Sequence, residues 1–172
     1  MLRIMGSALA VAALVALSVP ADAQAAGKQV KVVESVTVDA PPSKVWGVVG
    51  DFSSLGWHPA VKSTTAPNGN ATGSERRVDL GGPVLVEQLV RRNDKRQSLT
   101  YKILDNGENQ KVLPVQHYVS TIRVKPSGKG STVTWSSTFD PAPGSDAATA
   151  KKAIQGVYRG GLDNLPKVVG KS

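Results

Sequence analysis

From Gln29 to Ala40 apolar residues recur on one side of the chain at Val30, Val32, Val36 and Val38, and this period of two marks a half-buried strand. Glu34 interrupts that side. The next stretch, APPSKVWGVVGDF, changes period: two prolines and Ser43 lead into Val45, Trp46, Val48 and Val49. Proline fits a first helical turn and serine favours entry, so a short helix is predicted over Pro42–Val49. Asp51 and Ser53 start a second short turn of helix, which Gly56 and Pro59 end at GWHP.

Helical spacing then disappears. Alternating runs follow at Val61–Ala66, Glu75–Leu80, Val84–Arg91, Ser98–Leu104, Val115–Lys125 and Ser131–Phe139. The connectors PNGNATG, GGP, NDKRQ, DNGENQKVLP and PSGKG carry the Gly, Asn, Asp or Pro that tight reversals need. With the first strand this makes seven strands, mostly joined as antiparallel hairpins.

From Ser145 to Val169 the apolar positions Ala150, Ile154, Val157, Gly161, Leu165 and Val168 lie three or four apart, which predicts one long amphipathic helix. Ser145 with Asp146 caps its start, Lys167 and Lys171 suit its end, and Pro166 is expected to bend or end it early. The order predicts one α+β domain: a curved seven-stranded antiparallel sheet wrapped around a long C-terminal helix, with two short helices after the first strand. A single helix laid across such a sheet leaves room for a cavity between them.

Strand alternation also nominates the cavity wall. Leu99, Tyr101 and Ile103 share one face of their strand, Tyr118, Ser120 and Ile122 one face of the next, and Val133, Trp135, Ser137 and Phe139 one face of the last. Val78 and Leu80 join them, and the long helix supplies Ile154 and Tyr158. Rings with a few hydroxyls suit a largely apolar molecule with one or two polar groups, though ordinary core packing would place the same residues inward. Trp46 reads as a core anchor, and Trp57 with Pro59 as shaping the cavity mouth. Arg76 and Arg77 are adjacent, so one faces the cavity side and the other water.

Ahead of this domain, Arg3 precedes an apolar run from Ile4 to Val19, then Pro20 and Ala21-Asp22-Ala23, the pattern of a secretory signal peptide. A run of about 16 residues falls short of the ~20 that span a bilayer. Residues 1–23 are therefore read as a cleaved leader, with Ala25 the alternative cut, 24–28 as a linker and 29–172 as the domain. The absence of cysteine rules out disulfides, thiolate catalysis, zinc–thiolate sites and a lipid-modified N-terminal Cys. A periplasmic or secreted protein is expected.

Arg3 and Asp22 cancel, so the domain keeps the whole net charge of +8. Such an excess serves an anionic membrane surface, an acidic protein partner or nucleic acid, or merely solubility, and an exported chain seldom meets nucleic acid. His58 and His117 are the only histidines, and no third ligand stands at metal spacing; no metal or cofactor is expected. His58 is the candidate base on histidine chemistry, against a structural hydrogen bond in the turn that Pro59 fixes, and His117 alternates outward. Nucleophile, P-loop and dinucleotide motifs are missing. Lys62 and Glu87 are the sharpest pair, because two opposite charges in an apolar cavity are costly unless partnered. Alternation in VLVEQLVRR does not decide which face Glu87 takes.

Three segments, VTVDAPPSKVWGVVGDFSSLGWHPAVKS, GSERRVDLGGPVLVEQL and HYVSTIRVKPSGKGSTVTWSSTF, taken in this order resemble the START-like (SRPBCC) superfamily with its helix-grip fold. The chain is most similar to the polyketide cyclase/dehydrase-like branch and, in exported form, to MxaD-type accessory proteins of methanol oxidation. It is more distantly similar to the plant abscisic-acid receptors. The receptor resemblance implies that Lys62 meets a ligand carboxylate and that Glu87 and Tyr118 face the pocket. LGGPV is shorter than the receptor gating loop, and Leu113 stands where its latch carries a His, which argues against ligand-gated docking of the plant type.

These readings converge on periplasmic binding of a small, mainly apolar ligand with an anionic or carbonyl end, Lys62 being its anchor. Two alternatives stand beside it. One is a cyclase/dehydratase-type enzyme with Glu87 or His58 as base and Tyr101 or Tyr118 as proton donor. The other is a basic accessory protein docking on an acidic periplasmic redox partner.

Overall fold

The computed structural model describes residues 29–171, and the predicted leader and linker lie outside them. Seven strands, β1 (Val30–Val38), β2 (Ser63–Thr65), β3 (Glu75–Asp79), β4 (Val84–Asn93), β5 (Ser98–Ile103), β6 (Val115–Ser127) and β7 (Gly130–Pro141), form one antiparallel sheet in the order β1-β7-β6-β5-β4-β3-β2. Helices α1 (Pro42–Val49) and α2 (Gly107–Val112) are short, and α3 (Ala147–Lys171) lies against β1 and β7. No helix among the described residues is long and apolar enough to cross a membrane.

Curvature enters at two register shifts, between Leu89 and Arg91 in β4 and between Gln116 and Val119 in β6. An extra residue in one strand bends it and raises its twist. His117 sits in the second bulge with φ 51°, pointing outward to pair with Asp140. The inner face so formed buries Val32, Leu89, Leu99, Tyr101, Ile122, Val133, Trp135 and Phe139 against Ile154, Tyr158, Leu162 and Leu165 of α3. Glu34, the interruption in β1, faces the same way: Gln155 Nε2 donates to its Oε1 (3.2 Å) and Arg159 Nη1 to its Oε2 (3.3 Å). The charge that breaks the strand's pattern thus ties β1 to α3.

Three local expectations change. The second short helix after Asp51 is instead a chain of turns, Ser54 N to Asp51 O, His58 N to Leu55 O and Val61 N to His58 O. Gly56 and Pro59 leave no run long enough for an i to i−4 ladder. The connector DNGENQKVLP contains α2, capped by Asn106, whose side chain accepts from Asn109 N. Pro166 lies inside α3 without ending it, because buried Leu162, Leu165 and Val169 hold the turns on both sides to the sheet. Asp146 caps α3 as expected, its two carboxylate oxygens taking Thr149 N and Oγ1 at 2.8 and 2.9 Å.

Candidate functional site

The GWHP turn is fastened to α3. His58 Nδ1 accepts from Ala60 N (3.2 Å), so the ring proton is on Nε2, which donates to Val157 O (2.9 Å). Asn164 Nδ2 donates to Trp57 O (2.9 Å). Burial lowers the pKa of His58, opposed by its bond to Val157 and the charge of Glu87. A neutral imidazole with both nitrogens occupied holds the turn in place and has no lone pair to spare for a substrate proton.

The turn comes very close to α3 at Gly161, where an added Cβ would stand 2.7 Å from both His58 Cδ2 and Trp57 Cζ3. Trp57 packs edge-on against Trp135 (5.3 Å between centroids), and Trp135 stacks on Tyr158 (4.3 Å, 15°). This layer closes one end of the interior.

Beyond it lies a cavity of about 100 Å3 bounded by Leu55, His58, Ala60 and Val61 of the turn, Val78, Leu80, Leu85, Glu87, Tyr101, Ile103, Tyr118 and Trp135 of the sheet, Leu113 after α2, and Ile154 and Val157 of α3. Val61, Leu80, Leu113 and Val157 are half-buried and form its mouth. Behind Tyr118 and Trp135 the hydroxyls interlock. The Tyr118 and Tyr158 hydroxyls are hydrogen-bonded at 2.6 Å, Ser120 Oγ lies 2.9 Å from the Tyr158 hydroxyl, and Trp135 Nε1 donates to Ser120 Oγ (2.9 Å) and the Tyr101 hydroxyl (3.1 Å). Burial raises the pKa of all three phenols, that of Tyr158 to about 12, so they remain neutral hydrogen-bonding groups.

Glu87 is the charged residue of the wall, 4% exposed. Its cross-strand neighbour Arg76 is 1% exposed and donates from Nε to Glu87 Oε2 at 2.5 Å. Arg76 Nη1 donates to Phe52 O (3.2 Å), while the guanidinium lies over the rings of Phe52 (4.4 Å) and Tyr101 (5.0 Å). A buried carboxylate needs such a partner, and Arg supplies it behind the wall rather than in the cavity.

Of the residues expected to line a ligand site, the cavity brings together His58, Val78, Leu80, Glu87, Tyr101, Ile103, Tyr118, Trp135 and Ile154. Ser120 and Tyr158 are buried behind the wall, and Trp57 belongs to the packed layer. Lys62 is exposed and does not line the cavity: Val61 takes the inward position, so the chain sends Lys62 outward, its stem running beside Gly81. Leu55, Ala60, Val61, Leu85, Leu113 and Val157 were missed. Val157 was legible in the helical stripe, whereas Leu55, Ala60 and Leu113 sit in irregular segments whose direction no periodicity reports. Of the arginine pair, Arg76 is the inward one and Arg77 is exposed.

The model of one family, described as polyketide cyclase / dehydrase and lipid transport, matches residues 29–170. The chain belongs to that family. Among solved structures it resembles XoxI from Bacillus cereus, at 30% identity and TM-score 0.72, over 81% of this chain and 95% of that one. A putative uncharacterized protein from Bacillus thuringiensis is similar at 30% identity and TM-score 0.70, over 81% and 98%. Ara h 8.0201, at 17% identity and TM-score 0.66 over 84% and 100%, shares the helix-grip fold. No match was found among curated proteins. Family and cavity agree on a hydrophobic ligand.

Proposed function

We propose that the protein is exported to the periplasm and there holds a small, mainly apolar molecule between the sheet and α3. The observation that carries this reading is the roughly 100 Å3 space walled by Val78, Tyr101, Ile103, Tyr118, Trp135 and Ile154, and reached through a half-buried mouth. An apolar cavity of about 150 Å3 takes up benzene, so this smaller one has room for at most a single small ring or short branched chain, a longer molecule projecting through the mouth. Ile103→Phe, which fills the space, should abolish calorimetric binding of ring-sized probes while the variant stays folded; unchanged binding would sink the reading. The Arg3, Ile4–Val19, Ala21-Asp22-Ala23 pattern supports export. N-terminal sequencing of the periplasmic protein should begin after Ala23 or Ala25.

A second reading has its own observation. Over β1, β4, β5 and β6 the outward face of the sheet carries Lys31, Arg91, Lys102, Arg123 and Lys125 among Ser and Thr, with Val33 (49%) and Val119 (42%) exposed beside them and the acidic Glu75, Asp79 and Asp140 on β3 and the end of β7. A cationic face with solvent-exposed apolar residues fits docking on an acidic protein. An enzymatic role rests on Glu87 alone, since His58 is fully engaged.

A further inference from the structure

The cavity wall has one sign of charge. Glu87 lines it, and no Lys or Arg does. Lys62 is out in solvent, and Arg76, which does not line the wall, donates from Nε to Glu87 Oε2 and from Nη1 to Phe52 O, its buried Nη2 having no partner. The strand register fixes this arrangement, because Arg76 and Glu87 face each other directly on the inner side of β3 and β4. The bond to Arg76 uses Oε2 of Glu87, so Oε1 keeps its lone pairs for a donor arriving from the cavity.

A bound molecule therefore meets a held carboxylate in apolar surroundings. A carboxylate or phosphate end would meet the Glu87 oxygen with no donor between them and would bring an uncompensated charge into apolar surroundings. An ammonium end would add a charge that nothing balances, because Arg76 already neutralises Glu87. A carbonyl end offers Glu87 nothing to accept. A hydroxyl brings a donor without charge, and hydrogen bonds to an ionised acceptor are the stronger ones.

We infer that the cavity takes a small uncharged molecule, of about the size of one ring, whose buried end is a hydroxyl donating to Glu87. This inference rests on the ligand-binding reading above and reverses the charge preference that Lys62 suggested from sequence. It requires the full chain and three probes: phenol, toluene of nearly the same shape, and benzoate.

Titration calorimetry on the unaltered protein should give phenol binding at least tenfold tighter than toluene, with benzoate weakest. In Glu87→Gln, with folding checked by circular dichroism, the preference of phenol over toluene should fall severalfold. Toluene or benzoate binding as tightly as phenol would overturn the hydroxyl assignment and leave cavity binding intact. Absence of binding by all three would overturn the cavity reading itself. The comparison on the unaltered protein decides the matter even if Glu87→Gln fails to fold.

Discussion

Gly160 and Gly161 are neighbours on α3 with opposite tolerances. A Cβ at 161 would meet two aromatic side chains at 2.7 Å, whereas at 160 the nearest atom, His58 Nε2, is at 3.7 Å and the position is exposed. Gly161→Ala should cost about 1–3 kcal/mol by overpacking. Gly160→Ala should be neutral or gain up to about 1 kcal/mol from helix propensity. Denaturant midpoints of the two variants check this contrast.

His58 makes the second residue-scale prediction. Its pKa is lowered from 6.5 in the fold, chiefly by burial. Above pH 6.5 both folded and unfolded states hold a neutral ring, so its contribution is complete. Below that the unfolded chain binds the proton first, and stability falls with pH until the folded ring also titrates. His117 works in the opposite direction: its pKa is raised by its hydrogen bond to Asp140, and its contribution is lost as pH rises. Urea midpoints between pH 7.5 and 5 should therefore drop less in His58→Gln than in the unaltered protein. An equal drop would show that the ring is not the group responsible.

At the scale of elements, α2 depends on one buried side chain. Asn109 donates from Nδ2 to Val86 O (2.9 Å) and Leu104 O (2.7 Å), and its Oδ1 accepts from Val86 N (2.9 Å). A six-residue helix is not stable alone, so these bonds and the Asn106 cap hold it to β4. Asn109→Ala should cost about 2–4 kcal/mol, because buried backbone groups lose their partner. It should also speed hydrogen exchange in α2 and at Leu113, which forms part of the cavity mouth. Exchange confined to other segments would contradict this role.

For the whole molecule, part of the net charge of +8 falls on the sheet. Outward alternation on β1, β4, β5 and β6 gathers Lys31, Arg91, Lys102, Arg123 and Lys125 on the face away from α3. If this face docks on an acidic protein, association with that partner should weaken steeply between 50 and 300 mM salt, concentrations about which the screening length shortens to below ~10 Å. Lys102→Glu with Arg123→Glu should weaken it further, and Ile103→Phe should leave it unchanged. Surface plasmon resonance across the salt series separates docking from ligand binding, since a cavity substitution that altered docking would join the two functions.

The amino-acid sequence by itself determined the strands, the long helix and which side of each regular strand is apolar. Periods of two and near 3.6 are local properties, imposed by where successive Cβ atoms point. It also determined the inward Tyr101 and Trp135, which sit in unbroken alternation, and Tyr118, from which the alternation of β6 resumes after its bulge. Only the tertiary structure decided the rest. The β3–β4 register chose Arg76 over Arg77 and set Glu87 against it. The turn through His58 put Val61 inward and Lys62 in water, and α2 formed because Asn109 found Val86 across the sheet. Each of these depends on partners distant in the chain, and a periodicity carries no information about the element that will pack against it.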